Sequence, residues 1–492
     1  MNKESLYIVS SIVALSANAQ TKIGSDKRPN IVFILADDMG WADLPIYGNK
    51  FNEAPNISKL ANEGVRFTNA YAAAPVSSPT RASIISGQYP ARVGINDFIP
   101  GHWRPFEEVV VPINRNQFLP VDIITMGDAL KKAGYATGYF GKWHLGYKPE
   151  YHPLKRGFDE ASIGQGYFDT KFDPPRLESA EKVITDRIVD YGIDFIDTNK
   201  EKPFFLFVAN WAVHLPFDAD QKIIDKYLAK EKVDGYPCNA VYAAAIEQMD
   251  QSIGRLMDKL KSAGLSDNTV IVFFSDNGGV TSENQYPDVK EERISMLVPS
   301  KTHIYKNNPL QYLATSNSPL RNEKGSLYEG GIREPLIVKW PAKIKKGMVS
   351  KAVVSSVDFF PTFLELANSQ KDANQVLDGI SIVPTLTKNE YDAERPIFWH
   401  YPVYHHDVPS GAVRKGDWKL LENQVTGDVV LYNLKSDLGE STNLAGVFPE
   451  KTKELSALLK EWQKEVKAEF AQPNPNFNKE KRNIWSKIPL RQ

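Results

Sequence analysis

The sequence predicts a doubly wound α/β domain followed by a smaller C-terminal α+β unit, an antiparallel sheet plus a helix. Three observations carry this reading. The apolar runs 31–36, 136–140, 203–208 and 270–274 are continuous rather than alternating, as in strands buried on both faces of a parallel sheet. Segments of helical periodicity lie between them, the order expected of an α/β domain. Beyond a Pro/Asp/Glu-rich stretch at 387–395, the pattern changes to the short strand-like runs 397–401, 412–421 and 429–433, then a charged helix over 449–470. The division is therefore 28–388 for the larger domain and 389–492 for the C-terminal subdomain.

In chain order, Lys3, the apolar run 6–15 and Ala17-Asn18-Ala19 read as a secretory signal peptide over residues 1–19, which predicts an exported, periplasmic protein. No other segment approaches the roughly 20 apolar residues of a membrane span. Cys238 is the only cysteine, so the fold relies on its core, with Cys238 as a small packing residue. Ser78 is a plausible N-cap, Pro79 suits the first helical position and Gly87 the residue past the end. Thr125 and Asp128 form a capping box that opens a helix to Ala133. Tyr242, Ile246, Met249, Ile253, Leu256 and Leu260 recur at helical spacing up to Gly264. The excursion 279–320 is long and polar, which marks a functional or irregular segment. Strand 335–339 and helix 358–367 follow, and the tail after Gln472 reads as irregular.

Each of the four strand-like runs ends in a polar cluster: Asp37-Asp38, Lys142 with His144, Asn210 with His214, and Asp276-Asn277. In open α/β sheets ligands bind beyond the carboxyl ends of the strands, so the clusters share one edge. Asp37, Asp38, Asp276 and Asn277 are oxygen donors only, a set suited to Ca²⁺ or, second, Mg²⁺. Arg81 follows Ser77 by four residues on the same side of a helix start, so a hydroxyl, a guanidinium and a positive helix end can meet one oxyanion. With 59 basic and 60 acidic residues the net charge is −1, which argues against nucleic-acid binding.

The segments 29–40, Ser77-x-Pro79-Thr80-Arg81, 141–146, 275–279 and 324–333, in this order, resemble the type I (formylglycine-dependent) sulfatase family, of the alkaline-phosphatase-like superfamily. The resemblance implies a large mixed, mostly parallel sheet sandwiched by helices. It implies a sulfuric ester hydrolase in which Ser77 is converted to formylglycine, whose hydrated aldehyde is the nucleophile. Asp37, Asp38, Asp276 and Asn277 match the calcium ligands, with the modified Ser77 also reaching the metal. Arg81 and Lys142 match residues that hold the hydrated aldehyde; His144, His214 and Lys324 match those around the sulfate and leaving group. His214 is the preferred general acid and His144 the second choice. A serine at the nucleophile position resembles the bacterial type matured by a radical iron–sulfur enzyme, which becomes a required partner.

The expected substrate is a sulfated saccharide, of galactose or N-acetylgalactosamine type. Candidate sugar contacts are Asn96, Asp97, His102, Trp103, Arg104, His400 and His405, because sugars stack on aromatics and hydrogen-bond to polar tips. Two alternatives stand beside this: a phosphatase or phosphonate hydrolase using unmodified Ser77, and a non-catalytic binder of sulfated glycans.

Overall fold

A computed structural model describes residues 28–168, 170–176, 182–281, 301, 304, 313–482, 484 and 486–487. The signal-peptide segment 1–19 and most of the excursion 279–320 lie outside the described residues.

The strands are β1 Asn30–Ala36, β2 Val65–Tyr71, β3 His102–Trp103, β4 Val109–Val110, β5 Ala136–Gly141, β6 Glu160–Ile163, β7 Phe204–Ala209, β8 Thr269–Ser275, β9 Arg333–Lys339, β10 Met348–Ser355, β11 Ile397–Tyr401, β12 Ser410–Lys415, β13 Trp418–Asn423, β14 Val429–Asn433, β15 Gln472–Pro473 and β16 Ser486–Lys487. Eight of them make the main sheet, in the order β10-β2-β9-β8-β1-β7-β5-β6. Its pairs are parallel except those of β9, which runs antiparallel to both β2 and β8. The sheet is thus mixed and mostly parallel.

Strand β1 shows why the apolar runs are continuous. Val32, Ile34 and Ala36 enter one core, with the helices Pro55–Asn62, Ile184–Asn199 and Ala240–Ser262. Ile31, Phe33 and Leu35 enter the other, with Ser77–Ser86, Met126–Lys132 and Phe359–Leu366. A strand with a core on each face cannot alternate apolar with polar residues. The capping box at Thr125 and Asp128 is present, with Thr125 accepting from the Asp128 amide.

Three local expectations change. The helix behind the first motif begins at Ser77, with Val76 as its cap residue, because Ser78 Oγ is engaged elsewhere: it accepts from Ile99 N at 3.0 Å and donates to His144 O at 2.9 Å. Pro79 is tolerated because first-turn amides have no intrahelical acceptor. The run 412–421 is a hairpin, not one strand, since Gly416 at φ +58° turns the chain between β12 and β13. The tail is partly ordered, β15 pairing with β4 and β16 with β3.

Strands β11 to β14 form a separate antiparallel sheet covered by the helix Pro449–Glu465. Polar links join this unit to the main sheet. Trp399 Nε1 donates to Ala72 O at 2.8 Å, and Arg395 grips both oxygens of Asp358 at 2.7 Å. Fully buried Lys419 lies 2.8 Å from both Glu329 and Glu440. No helix among the described residues is long and apolar enough to cross a membrane.

Candidate active site

The carboxyl ends of β1, β5, β7 and β8 deliver Asp37-Asp38, Lys142, Asn210 and Asp276-Asn277 to one edge. Because β9 is antiparallel, its amino end lies at that edge too, and it brings in the preceding loop with Lys324. The helix Ser77–Ser86 points its N-terminus into the same place, and all ten of its residues are buried.

Ser77 Oγ donates to Asp37 Oδ1 at 3.0 Å and lies 3.4 Å from both Asn277 Oδ1 and Lys142 Nζ. Lys142 Nζ donates to Asp37 Oδ2 at 2.5 Å. Arg81 binds Asp276 Oδ2 through Nε at 3.0 Å and Nη2 at 2.8 Å, while its Nη1 donates to Lys142 O. Lys324 Nζ reaches both oxygens of Asp38 at 2.7 Å. Asn277 Nδ2 donates to Asp38 Oδ1, and the Asp38 amide donates to Asp276 Oδ1. Asp38 itself has φ +60°. Three buried carboxylates therefore face three buried cations, each in hydrogen-bond contact.

The proton affinities follow. Burial pushes Asp37 up, but Lys142, His214 and Arg81 together hold it below the usual carboxylate range. Burial likewise opposes, and Lys324 and His214 overcome, a rise at Asp38. Asp276 stays raised, by burial first and then by the charge of Asp37. Burial lowers Lys142 against the pull of Asp37. It also lowers Lys324, which Asp38 and Asp37 nonetheless raise.

The histidines are fixed at one nitrogen each. His144, at φ +60°, hydrogen-bonds through Nε2 to Ile99 O at 2.6 Å, and its buried Nδ1 has no partner. Burial and then Lys142 hold it well below the usual imidazole value, so it is neutral, with the proton on Nε2. His214 Nδ1 pairs with Leu215 O, which leaves Nε2 facing Asp38 Oδ2 at 3.6 Å. Burial lowers His214 too, with Asp38 pulling the other way.

The other candidates divide. Asn96 and Asp97 are buried supports of the loop before Ile99; both amides donate to Asn114 Oδ1, and Tyr401 OH donates to Asp97. Arg104 binds Glu107 at 3.1 Å and His405 O at 3.1 Å. His102 and Trp103 form β3. His405 stacks on His406 and lies against Gly325, beside Lys324. His400 does not reach the site: it hydrogen-bonds to Glu469 O and packs on Phe470 under the C-terminal helix, because neighbours on a strand face opposite ways.

Several residues here were not singled out. The Trp211 ring lies 4.9 Å beneath Lys142 Nζ and 4.4 Å from the His214 ring. Its place beside Asn210 at the end of β7 is the signal that could have found it. Glu334 on β9 is fully buried, with neither carboxyl oxygen partnered among the described residues, and burial followed by Asp276 raises it well above the ordinary range. Nothing in the sequence marks it apart from its strand.

A metal fits this donor set. The oxygens of Asp37, Asp38, Asp276 and Asn277 converge within a buried pocket, and Asp37, Asp38 and His214 bring three ligand atoms within 4.8 Å of one another. A divalent cation bound together with a dianionic product would leave the charge balance of the site unchanged. Ser77 Oγ, already on Asp37, is placed to join such a shell.

A sheet edge that gathers oxygen donors, three cations and a helix-borne hydroxyl defines an enzyme acting on a small oxyanion. The chain belongs to the Sulfatase family, whose model matches residues 29–369. The model for the C-terminal region of N-sulphoglucosamine sulphohydrolase matches 322–469. An N-acetylgalactosamine-6-sulfatase of Rattus norvegicus is 32% identical over 78% of this chain and 71% of its own. An N-acetylgalactosamine-6-O-sulfatase of Bacteroides thetaiotaomicron is 29% identical over 91% of this chain and 96% of its own. Among solved structures, Ps i-CgsB in complex with k-i-k-neocarrahexaose superposes with a TM-score of 0.73 at 29% identity, covering 89% of this chain and 93% of that one.

Proposed function

We propose that this sulfatase removes O-sulfate from galactose- or N-acetylgalactosamine-type units of a sulfated glycan, the 6-sulfate of N-acetylgalactosamine first. The convergence of Ser77, Arg81, Lys142 and Lys324 on Asp37, Asp38 and Asp276 carries the hydrolytic reading. The two relatives named for N-acetylgalactosamine 6-sulfate support the sugar. A radical iron–sulfur maturating enzyme is the proposed partner that converts Ser77, and residues 1–19 direct export to the periplasm.

When bound, Ca²⁺ and the formylglycine derived from Ser77 supply a Lewis acid and an activated hydroxyl nucleophile. Asp37, Asp38, Asp276 and Asn277 hold the cation. Arg81, tied to Asp276 and to Lys142 O, and Lys142, tied to Asp37, fix residue 77 in its rotamer. Lys142 and Lys324 also meet the charge that grows on the sulfuryl oxygens, in a dry pocket where each contact is strong. His214 gives a proton from Nε2 to the leaving sugar oxygen. His144 serves instead as an acceptor: its proton sits on Nε2 toward Ile99, so only Nδ1 can take one up, and this replaces the donor role ranked second for it.

The test is sulfate release by protein co-expressed with a radical iron–sulfur maturating enzyme, with peptide mass spectrometry of the Ser77 fragment. Residue 77 is expected to lose two hydrogens. N-acetylgalactosamine 6-sulfate is expected to be hydrolysed at least about a hundredfold faster than its glucosamine epimer, since a site that hydrogen-bonds a hydroxyl rejects its misplacement strongly. Full turnover by protein carrying only unmodified serine would refute the mechanism.

A further inference from the structure

Lys324 stands on an irregular loop that does not fix itself. Asn322 has φ +67° and Gly325 φ +82°, so two residues of this short segment are in left-handed conformations. On the catalytic side the loop is held by its backbone. Lys324 N donates to Gly279 O at 3.3 Å, and Gly325 N donates to Pro75 O at 2.8 Å, two residues ahead of Ser77.

On its other side the loop meets three consecutive side chains from the connection between β11 and β12. Asp407 Oδ2 accepts from Ser326 Oγ at 2.8 Å and from Asn322 Nδ2 at 3.4 Å. His406 Nδ1 lies 3.5 Å from Glu323 Oε1. The His405 ring fills the space beside Gly325, where an added Cβ would come within 2.1 Å of its Nδ1. The connection is itself braced, Asp407 Oδ1 accepting from Val408 N and Asp407 O from His405 N. Residues 322, 323, 325 and 326 are thus each contacted from the C-terminal unit, while Lys324 between them reaches the opposite way to Asp38.

We propose that His405, His406 and Asp407 form a clamp that positions Lys324, so that the C-terminal unit completes the sulfate pocket. They are positioning residues: they act through the loop and do not touch the reacting atoms. Asp407 is the centre of the clamp, because one carboxylate closes the loop at both Asn322 and Ser326. The inference rests on the sulfuryl-facing role given to Lys324 above. Displacement of an ammonium by about 1 Å is enough to cost a large factor in rate.

The test uses the matured full-length protein with Asp407→Ala, Lys324→Ala and the double variant, assayed on an aryl sulfate, together with amide hydrogen exchange across residues 320–332. Asp407→Ala is expected to lower kcat/KM at least about tenfold in the parent but less than about twofold in the Lys324→Ala background, as for two residues acting through one contact. Exchange is expected to rise in 320–332. An equal loss in both backgrounds would overturn the proposal, since a general structural defect acts whether or not Lys324 is present. Asp407→Asn keeps the shape and serves if the alanine variant does not fold. If the parent turns over no sulfate ester, the functional reading fails on its own. Exchange then decides the clamp, as it does where Lys324→Ala is too slow to measure, and unchanged protection in 320–332 overturns it.

Discussion

His214 has one ring nitrogen for chemistry, because Nδ1 is held by Leu215 O and Nε2 looks toward Asp38. A donor there matters most when the departing oxygen is a poor leaving group. A sugar alkoxide is one, whereas an activated phenolate leaves without help. His214→Ala is therefore expected to lower kcat/KM about 10²- to 10⁴-fold on a sugar sulfate, the range of general acid catalysis, and far less on an aryl sulfate of an acidic phenol. Equal losses on both would remove the acid role and leave His214 a binding residue. The same reasoning separates it from His144, whose single available nitrogen is an acceptor. Two histidines of similar sequence setting thus receive opposite tasks from the carbonyl each one meets.

At the scale of elements, His400 belongs to the packing of β11 beneath the C-terminal helix. Its Nε2 donates to Glu469 O at 2.9 Å, its Nδ1 accepts from Gln424 Nε2 at 3.1 Å, and burial lowers it to about 4. The folded state keeps this ring neutral while the unfolded chain protonates near pH 6.5, so the unfolded state binds more protons between about pH 6.5 and 4. Stability is full above that window and falls as pH drops through it, by up to about 3 kcal/mol from this group. His400→Gln is expected to flatten that part of the stability–pH curve in urea titrations; an unaltered slope would show that the loss originates elsewhere.

Its reading as a sugar contact failed on strand geometry. Trp399 and Tyr401 point toward the catalytic unit, and His400 between them points away. By contrast Asp37, Lys142, His214 and Asp276 were legible because each follows a continuous apolar run, and such a run locates a strand end. Ser77 was legible as a helix start, though one residue early, since Ser78 looks like a cap until Ile99 and His144 are seen to engage it. The clamp was not legible. His406 and Asp407 lie some eighty residues from Asn322 and Ser326, on a connection without periodicity, and only the folded chain pairs them.

The whole molecule is held as one body by charges buried between its two sheets. Lys419 on β13 has no exposed surface and lies 2.8 Å from both Glu329 and Glu440. Glu329 is held low, at about 2, by Lys419 and Arg333 against the cost of burial, whereas burial and the neighbouring Glu329 lift Glu440 to about 7. Glu329 also accepts from Tyr71 OH on β2, and its amide donates to Glu440, so the network runs from the main sheet through the Lys324 loop to the C-terminal sheet. Removing one partner of a buried set leaves charge without compensation, while replacing the whole set removes the burden together. Lys419→Met is therefore expected to destabilise the protein by about 3 kcal/mol. The triple replacement Lys419→Met, Glu329→Gln, Glu440→Gln is expected to cost less than the single one. Denaturant unfolding followed both by circular dichroism and by tryptophan fluorescence should show one transition that moves as a whole, because the charges hold both units together. A neutral Lys419→Met, or a transition that splits in two, would mean that the C-terminal sheet is secured by its apolar contacts alone. In that case the loop bearing Lys324 would depend on the Asp407 contacts rather than on the buried charges behind it.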